Sequence, residues 1–67
     1  MLYAVRAFYS KAAAQHGELP SYVSQTGSFT TAMHVANDLS RHYGAALVVN
    51  RDTGARTWVI RDRKADA

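Results

Sequence analysis

The hydrophobic positions between Phe29 and Gly44 recur every three or four residues, which is the spacing of one face of an α-helix. Thr30 is the expected N-cap, with Ser28 as the alternative, because a hydroxyl there can accept an unsatisfied backbone N–H. Gly44 follows where a helix end favours a residue of positive φ. The predicted inner face consists of Phe29, Ala32, Met33, Ala36, Leu39 and Tyr43, and the outer face of His34, Asn37, Asp38, Arg41 and His42.

Apolar runs on either side of this helix predict four strands. The first, Leu2–Ser10, places Arg6 and Phe8 on one face, and this face is expected to point outward because a lone buried cation is costly. A loop or wide hairpin connection is expected over Lys11–Glu18, since a glycine and a proline bracket its alanines. The other strands are expected at Leu19–Thr26, Ala45–Asn50 and Arg56–Asp62.

The order strand, strand, helix, strand, strand predicts an α+β domain with two layers, a four-stranded antiparallel sheet and one helix on one face. Residues 1–67 are expected to form this single domain, with a charged tail at 63–67 that frays. In the last turn, Asp52 is expected to bond its downstream backbone and Gly54 to supply a positive φ. The pattern leaves the strand order open. One helix covers one face, so the second face is expected to meet solvent or a partner.

Positive charge is concentrated in the second half of the chain. The net charge is +3, and between Arg41 and Lys64 there are six cations and two anions. This asymmetry favours an anionic partner, such as nucleic acid or an acidic protein surface, although a merely solvated basic face would look the same. For Trp58, packing beneath the helix is favoured over exposure on the second face, because large aromatic residues dominate small cores. The candidate partner-binding residues are Arg6, Phe8, Tyr22, Arg51, Arg56, Arg61 and Arg63.

The sequence carries no pattern typical of an enzyme or a metal site. The acidic residues are scattered, and His34, Asp38 and His42 have the four-residue spacing of a solvated helix face. There is no cysteine, no glycine-rich phosphate loop and no nucleophile motif. We therefore expect a non-enzymatic protein with no catalytic residue, metal or cofactor. No apolar run approaches the roughly 20 residues of a membrane span, and the absence of cysteine fits a cytoplasmic location.

The spacing of cap, core and turn residues resembles that of small phage and bacterial proteins with two strands, a helix and two strands, among them some phage-encoded anti-CRISPR proteins. The residues that carry the resemblance lie between Thr26 and Arg61; they are Phe29, Thr30, Thr31, Ala32, Ala36, Leu39, Gly44, Leu47, Val48, Val49, Gly54 and Trp58. The resemblance implies a compact inhibitor that binds a host nucleoprotein complex through basic and aromatic side chains. Such proteins are often acidic mimics of DNA, so this basic chain is expected to block a surface sterically instead.

Two functions thus follow from the sequence as hypotheses. The first is a binding protein that occupies a surface of a protein or ribonucleoprotein complex, with Phe8 or Tyr22 as the apolar anchor. The second is a module that binds DNA or RNA directly on a basic and aromatic sheet face. Pairing of exposed strand edges into a homodimer is compatible with either.

Overall fold

The first and third strands form the centre of a four-stranded antiparallel sheet, against which one long helix packs. The computed structural model describes residues 2–60. Its strand order is β2-β1-β3-β4, so β2 and β4 are the edges. The predicted α+β fold class is confirmed. The elements are β1 (Tyr3–Phe8), α1 (Lys11–Gln15), β2 (Tyr22–Thr26), α2 (Phe29–Tyr43), β3 (Ala45–Asn50) and β4 (Arg56–Ile60).

The core between α2 and the sheet is built mainly from small side chains. Ala32 and Ala36, one turn apart on α2, are fully buried against Val5, Ala46 and Val48 of the two central strands. Small residues on both layers let the helix approach the sheet closely, so that the two backbones are separated by little side-chain volume. The predicted inner face is confirmed along the middle of α2. At its two ends this face is only partly covered: the Phe29 ring lies 5.5 Å from that of Tyr3 in β1, but Phe29 and Tyr43 both stay exposed.

The ends of α2 are defined by Ser28 and Gly44. Ser28 Oγ accepts a hydrogen bond from the backbone N of Thr31 at 3.3 Å, so Ser28 is the N-cap and the preference for Thr30 is wrong. Gly44 ends the helix with a φ of +115°. A Cβ at this position would overlap the carbonyl oxygen of Tyr9. Glycine is therefore required both by the backbone conformation and by the close approach.

The segment after β1 forms a short helix, and the prediction of a loop or hairpin over 11–18 is wrong. Ser10 Oγ accepts from the backbone N of Ala13 at 3.0 Å and caps the first turn of α1. At the other end, Gly17 has a φ of +90°, and Glu18 N donates to Ala13 O at 3.1 Å. This hydrogen bond and the one from Gly17 N to Ala14 O at 3.0 Å together form a Schellman motif. A side-chain cap at the first turn and a backbone motif at the last turn thus stabilise a helix of only five residues.

The turn between β3 and β4 is organised by Asn50. Its Oδ1 accepts hydrogen bonds from the backbone N of Asp52 at 2.9 Å and of Thr53 at 3.2 Å. Asn50 thus takes the turn-forming role that was predicted for the side chain of Asp52. Gly54 has a φ of +82°, as predicted. Within residues 2–60, no helix is long and apolar enough to cross a membrane. The predicted fraying of residues 63–67 lies outside the described residues.

Candidate functional site

The sheet surface that faces away from α2 carries a row of four side chains, one from each strand. Trp58 of β4, Leu47 of β3, Arg6 of β1 and Val23 of β2 are paired in register and therefore share this surface. Arg56 lies two residues before Trp58 on the same surface of β4. The prediction that Arg6 points away from the helix is confirmed, because its neighbour Val5 lies in the core beneath α2.

Trp58 is on this second surface, so the favoured prediction that it packs beneath the helix is wrong. Its ring lies 5.9 Å from the ring of Phe8, centroid to centroid, at an interplanar angle of 52°. The Nζ of Lys11 lies 5.7 Å from the Trp58 ring centroid, within cation–π range. Trp58 is half-buried, whereas Phe8 is only 6% exposed. Phe8 is thus on the predicted surface but is too buried to act as an apolar anchor for a partner.

The α1 segment and the sheet border an open groove of about 330 Å³. One wall is the chain from Ala14 to Pro20, which passes over the end of the surface where Phe8 lies. The prediction of an uncovered second face is therefore corrected to a partly covered face with a groove. We call this site the arginine groove. Its sheet residues are Arg6, Phe8, Leu47, Arg56 and Trp58.

Positive charge predominates at the arginine groove. Arg6, Arg56 and the neighbouring Lys11 are cationic, and Glu18 is the single acidic residue between positions 2 and 60 that lines the groove. Among residues 2–60, neither arginine has an ion-pair or hydrogen-bond partner for its guanidinium group. Arg6 is half-buried between apolar neighbours, where water screens charge less than in bulk solvent. An anionic group entering the groove would therefore find two arginines that no carboxylate already neutralises.

The remaining predicted site residues do not join the groove. Tyr22 pairs with Ala7 and so lies on the same side of the sheet as α2, where it is exposed. Tyr22, the predicted alternative to Phe8 as apolar anchor, is therefore not on the groove surface. Arg51 is exposed in the turn between β3 and β4 and does not line the groove. Arg61 and Arg63 lie outside the described residues.

Three residues near the groove were missed by sequence reasoning. Lys11 and Glu18 belong to the α1 segment, which was predicted as a loop. The signal for it was present, since Ser10 precedes the run Ala12–Ala14 and Gly17 follows three residues later, which is the pattern of a capped helix. Ile60 is exposed on the same surface as Trp58, two residues further along β4.

Within residues 2–60, no group of three histidine, aspartate or glutamate side chains is placed to hold a metal ion. No family model matches the chain, and no curated protein or solved structure matches it either. The resemblance to anti-CRISPR proteins thus stays a hypothesis. Function has to be argued from the arginine groove itself.

Proposed function

We propose that the protein is a non-enzymatic binding protein that occupies an anionic surface of a partner complex through the arginine groove. The observation that carries this proposal is a pair of arginines, Arg6 and Arg56, in the same groove as the half-buried Trp58. Among the described residues, neither arginine has a carboxylate partner. Arginine and aromatic residues are the side chains that contribute most at protein interfaces. A guanidinium group also binds carboxylate or phosphate in a bidentate manner.

The groove is better suited to recognition than to catalysis. Of the part of the chain that the structure describes, one carboxylate, Glu18, lines the groove, with no histidine or second acid that could share proton transfer. The groove is also open to solvent along the sheet, so a bound group would remain partly hydrated. These features support a role in which contact itself, rather than a chemical step, is the activity.

The partner that we propose is a protein or ribonucleoprotein complex in the cytoplasm of a host cell, and the protein acts as an inhibitor of the phage or mobile-element type. Arg6 and Arg56 supply the electrostatic contact. Ile60, exposed beside Trp58, takes the place of Phe8 as the apolar anchor. Because the surface is basic, the proposed mechanism is steric blocking of an acidic or RNA-lined surface, and not mimicry of DNA.

Direct binding of DNA or RNA is the second candidate, favoured by the position of Trp58 on the second face beside two arginines. Open aromatic rings next to cations can stack bases while the cations hold the backbone. Trp58 offers little ring surface for this, however, because Phe8 packs against it and Lys11 lies over it. The geometry thus supports contact through charge more than base stacking.

The proposal is tested by affinity capture from a host lysate, with and without nuclease. The test variant combines Arg6→Gln and Arg56→Gln, which removes both charges and keeps most of the side-chain stems. Arg51→Gln is the matched control, because Arg51 is an exposed arginine away from the groove. We expect wild type and Arg51→Gln to retain the same nuclease-resistant complex and the double variant to lose it. Equal capture by the double variant would contradict the proposal.

A salt titration separates the two candidates. Labelled single-stranded and double-stranded oligonucleotides are added to the purified protein at increasing salt concentration. Direct binding of nucleic acid requires an affinity that falls with salt, with a log–log slope of about −0.7 to −0.9 for each phosphate neutralised. That slope would become shallower in the Arg6→Gln and Arg56→Gln variant. Under the first candidate, the oligonucleotides bind weakly and the captured complex resists nuclease.

A further inference from the structure

The edge strand β2 lacks the features that usually prevent strand edges from pairing. Its sequence, Tyr-Val-Ser-Gln-Thr, contains no charged residue and no proline, and its five residues pair with β1 without a bulge. Natural sheets protect their edges with such charges, prolines or bulges. The other edge strand, β4, begins with Arg56 and is followed in the sequence by further charged residues. Of the two edges, β2 is therefore the one open to another strand.

Apolar side chains are exposed on both sides of the sheet along this edge. Val23 is 50% exposed on the groove side, and Tyr22 is 47% exposed on the α2 side. Leu19, just before the strand, is 88% exposed. A strand placed beside β2 would cover apolar surface above and below the new pair, in addition to forming backbone hydrogen bonds. Both the backbone edge and its side chains thus fit an added strand.

We infer that β2 pairs with β2 of a second copy of this chain, in antiparallel orientation about Ser24. In this register Ser24 lies opposite Ser24 of the second copy, Val23 opposite Gln25, and Tyr22 opposite Thr26. A two-fold contact of this kind requires a self-complementary strand. The strand meets this requirement because all five side chains are uncharged. Two copies that each carry a net charge of +3 can therefore meet here without placing like charges face to face.

The small core gives a physical reason for self-association. Val5 and Val48 are the largest side chains that are fully buried among the described residues. A chain of 67 residues buries a smaller share of its surface than a larger domain does, and small domains commonly gain stability by oligomerisation. There is no cysteine to form a disulfide in its place. A second copy at β2 would extend the sheet to eight strands and cover one of its two open edges.

The pairing also places two arginine grooves on one surface. A two-fold axis perpendicular to the extended sheet keeps both copies of α2 on one side and both grooves on the other. The two β3 strands, which run beneath the grooves, are then five strand spacings apart, or about 24 Å at 4.8 Å per spacing. The dimer would thus contact a long anionic partner at two points. The pairing itself does not depend on the proposed function.

The oligomeric state is tested by light scattering and sedimentation over a concentration series. We expect the mass to rise from the 7.4 kDa of one chain towards twice that value. In the variant Val23→Glu, the new carboxylate lies opposite Arg6 within one chain. In a dimer, it would instead lie where the two β2 strands meet, and a charge there disfavours strand pairing. The measured mass of this variant should therefore remain that of one chain. Thr53→Glu, in the distant turn, is the control and should behave as wild type.

A cross-linking experiment tests the register independently of any destabilised variant. Because the chain has no cysteine, Ser24→Cys introduces a single thiol. Directly opposed residues of an antiparallel pair lie within the Cα–Cα range of a disulfide, so mild oxidation should yield a covalent dimer. Thr53→Cys should not give one. A mass of one chain at every concentration would overturn the inference. So would a dimer that Val23→Glu leaves intact, or one in which Ser24→Cys fails to cross-link.

Discussion

The two sides of the sheet are both partly covered, but by different means. On the α2 side, a fifteen-residue helix presses alanines against Val5 and Val48, and the contact is apolar throughout its centre. On the groove side, the five-residue α1 covers Phe8 and leaves the arginines beyond it without carboxylate partners among the described residues. Under the proposed function, the α2 side supplies stability and the groove side supplies recognition within one thin domain. The separation is incomplete, because Phe8 is buried on the side that we assign to binding.

The largest effect on the free energy of unfolding is expected at Phe8, which is buried on the groove side and not beneath α2. Phe8→Ala removes a buried ring that packs against Trp58 and should lower the free energy of unfolding by about 3 kcal/mol. Urea denaturation monitored by tryptophan fluorescence measures this loss. The adjacent Tyr9→Ala is the control, because Tyr9 is 81% exposed and should cost little. Unchanged stability of Phe8→Ala would mean that the groove side contributes nothing to the core.

On the α2 side, Leu39→Ala should lower the free energy of unfolding by about 2 kcal/mol. Leu39 packs against the central core but is half-buried, so a loss near the lower end of the range for buried leucines is expected. Leu19→Ala removes the same atoms from an exposed position and serves as the matched control. Thermal melting of both variants checks the pair. Similar melting temperatures would show that α2 does not seal this side.

A smaller effect is expected at the start of α2. Ser28→Ala removes the hydroxyl that accepts the Thr31 N–H and should cost about 1 kcal/mol. Thr30→Ala should have little effect, since Ser28 and not Thr30 caps the helix. Chemical denaturation of both variants distinguishes the two hydroxyls. A greater loss for Thr30→Ala would contradict the cap assignment and shift the start of the helix.

The smallest effect on stability is expected for the arginine groove. The Arg6→Gln and Arg56→Gln variant should unfold within about 0.5 kcal/mol of wild type, because neither guanidinium has an ion-pair partner among residues 2–60. The same variant should lose the captured complex. Stability and capture should be measured on the same preparation of this variant. We expect binding to be lost while the protein remains folded. A large drop in melting temperature would instead assign these arginines a structural role.

Local signals were enough to predict the framework of the fold. The long helix was found because its apolar period and its terminal glycine all lie within one stretch of chain. Ala45–Asn50 was predicted with the bounds that the structure has. The N-cap was missed because two hydroxyl residues, Ser28 and Thr30, lie within one turn, and sequence alone does not show which backbone N–H each can reach.

The candidate site was predicted less well, because it depends on contacts between distant segments. The alternation in β4 groups Trp58 with Ile60, but it does not show which of the two alternating sets faces α2. On the α2 side, β4 presents Val59, which packs against the alanine-rich core, and Thr57, which is exposed. The indole ring of Trp58 lies on the groove side, against Phe8. The groove wall was missed for a simpler reason, since the short α1 was taken for a loop.

The close approach of Gly44 to the Tyr9 carbonyl brings the end of α2 against the start of the groove wall. Tyr9 immediately precedes Ser10, the cap of α1, so any bulk added at position 44 would push against the anchor point of the groove wall. A methyl group added at position 44 would then disturb the wall of the arginine groove as well as strain the backbone. The shape of the groove therefore depends on a glycine that lies outside it.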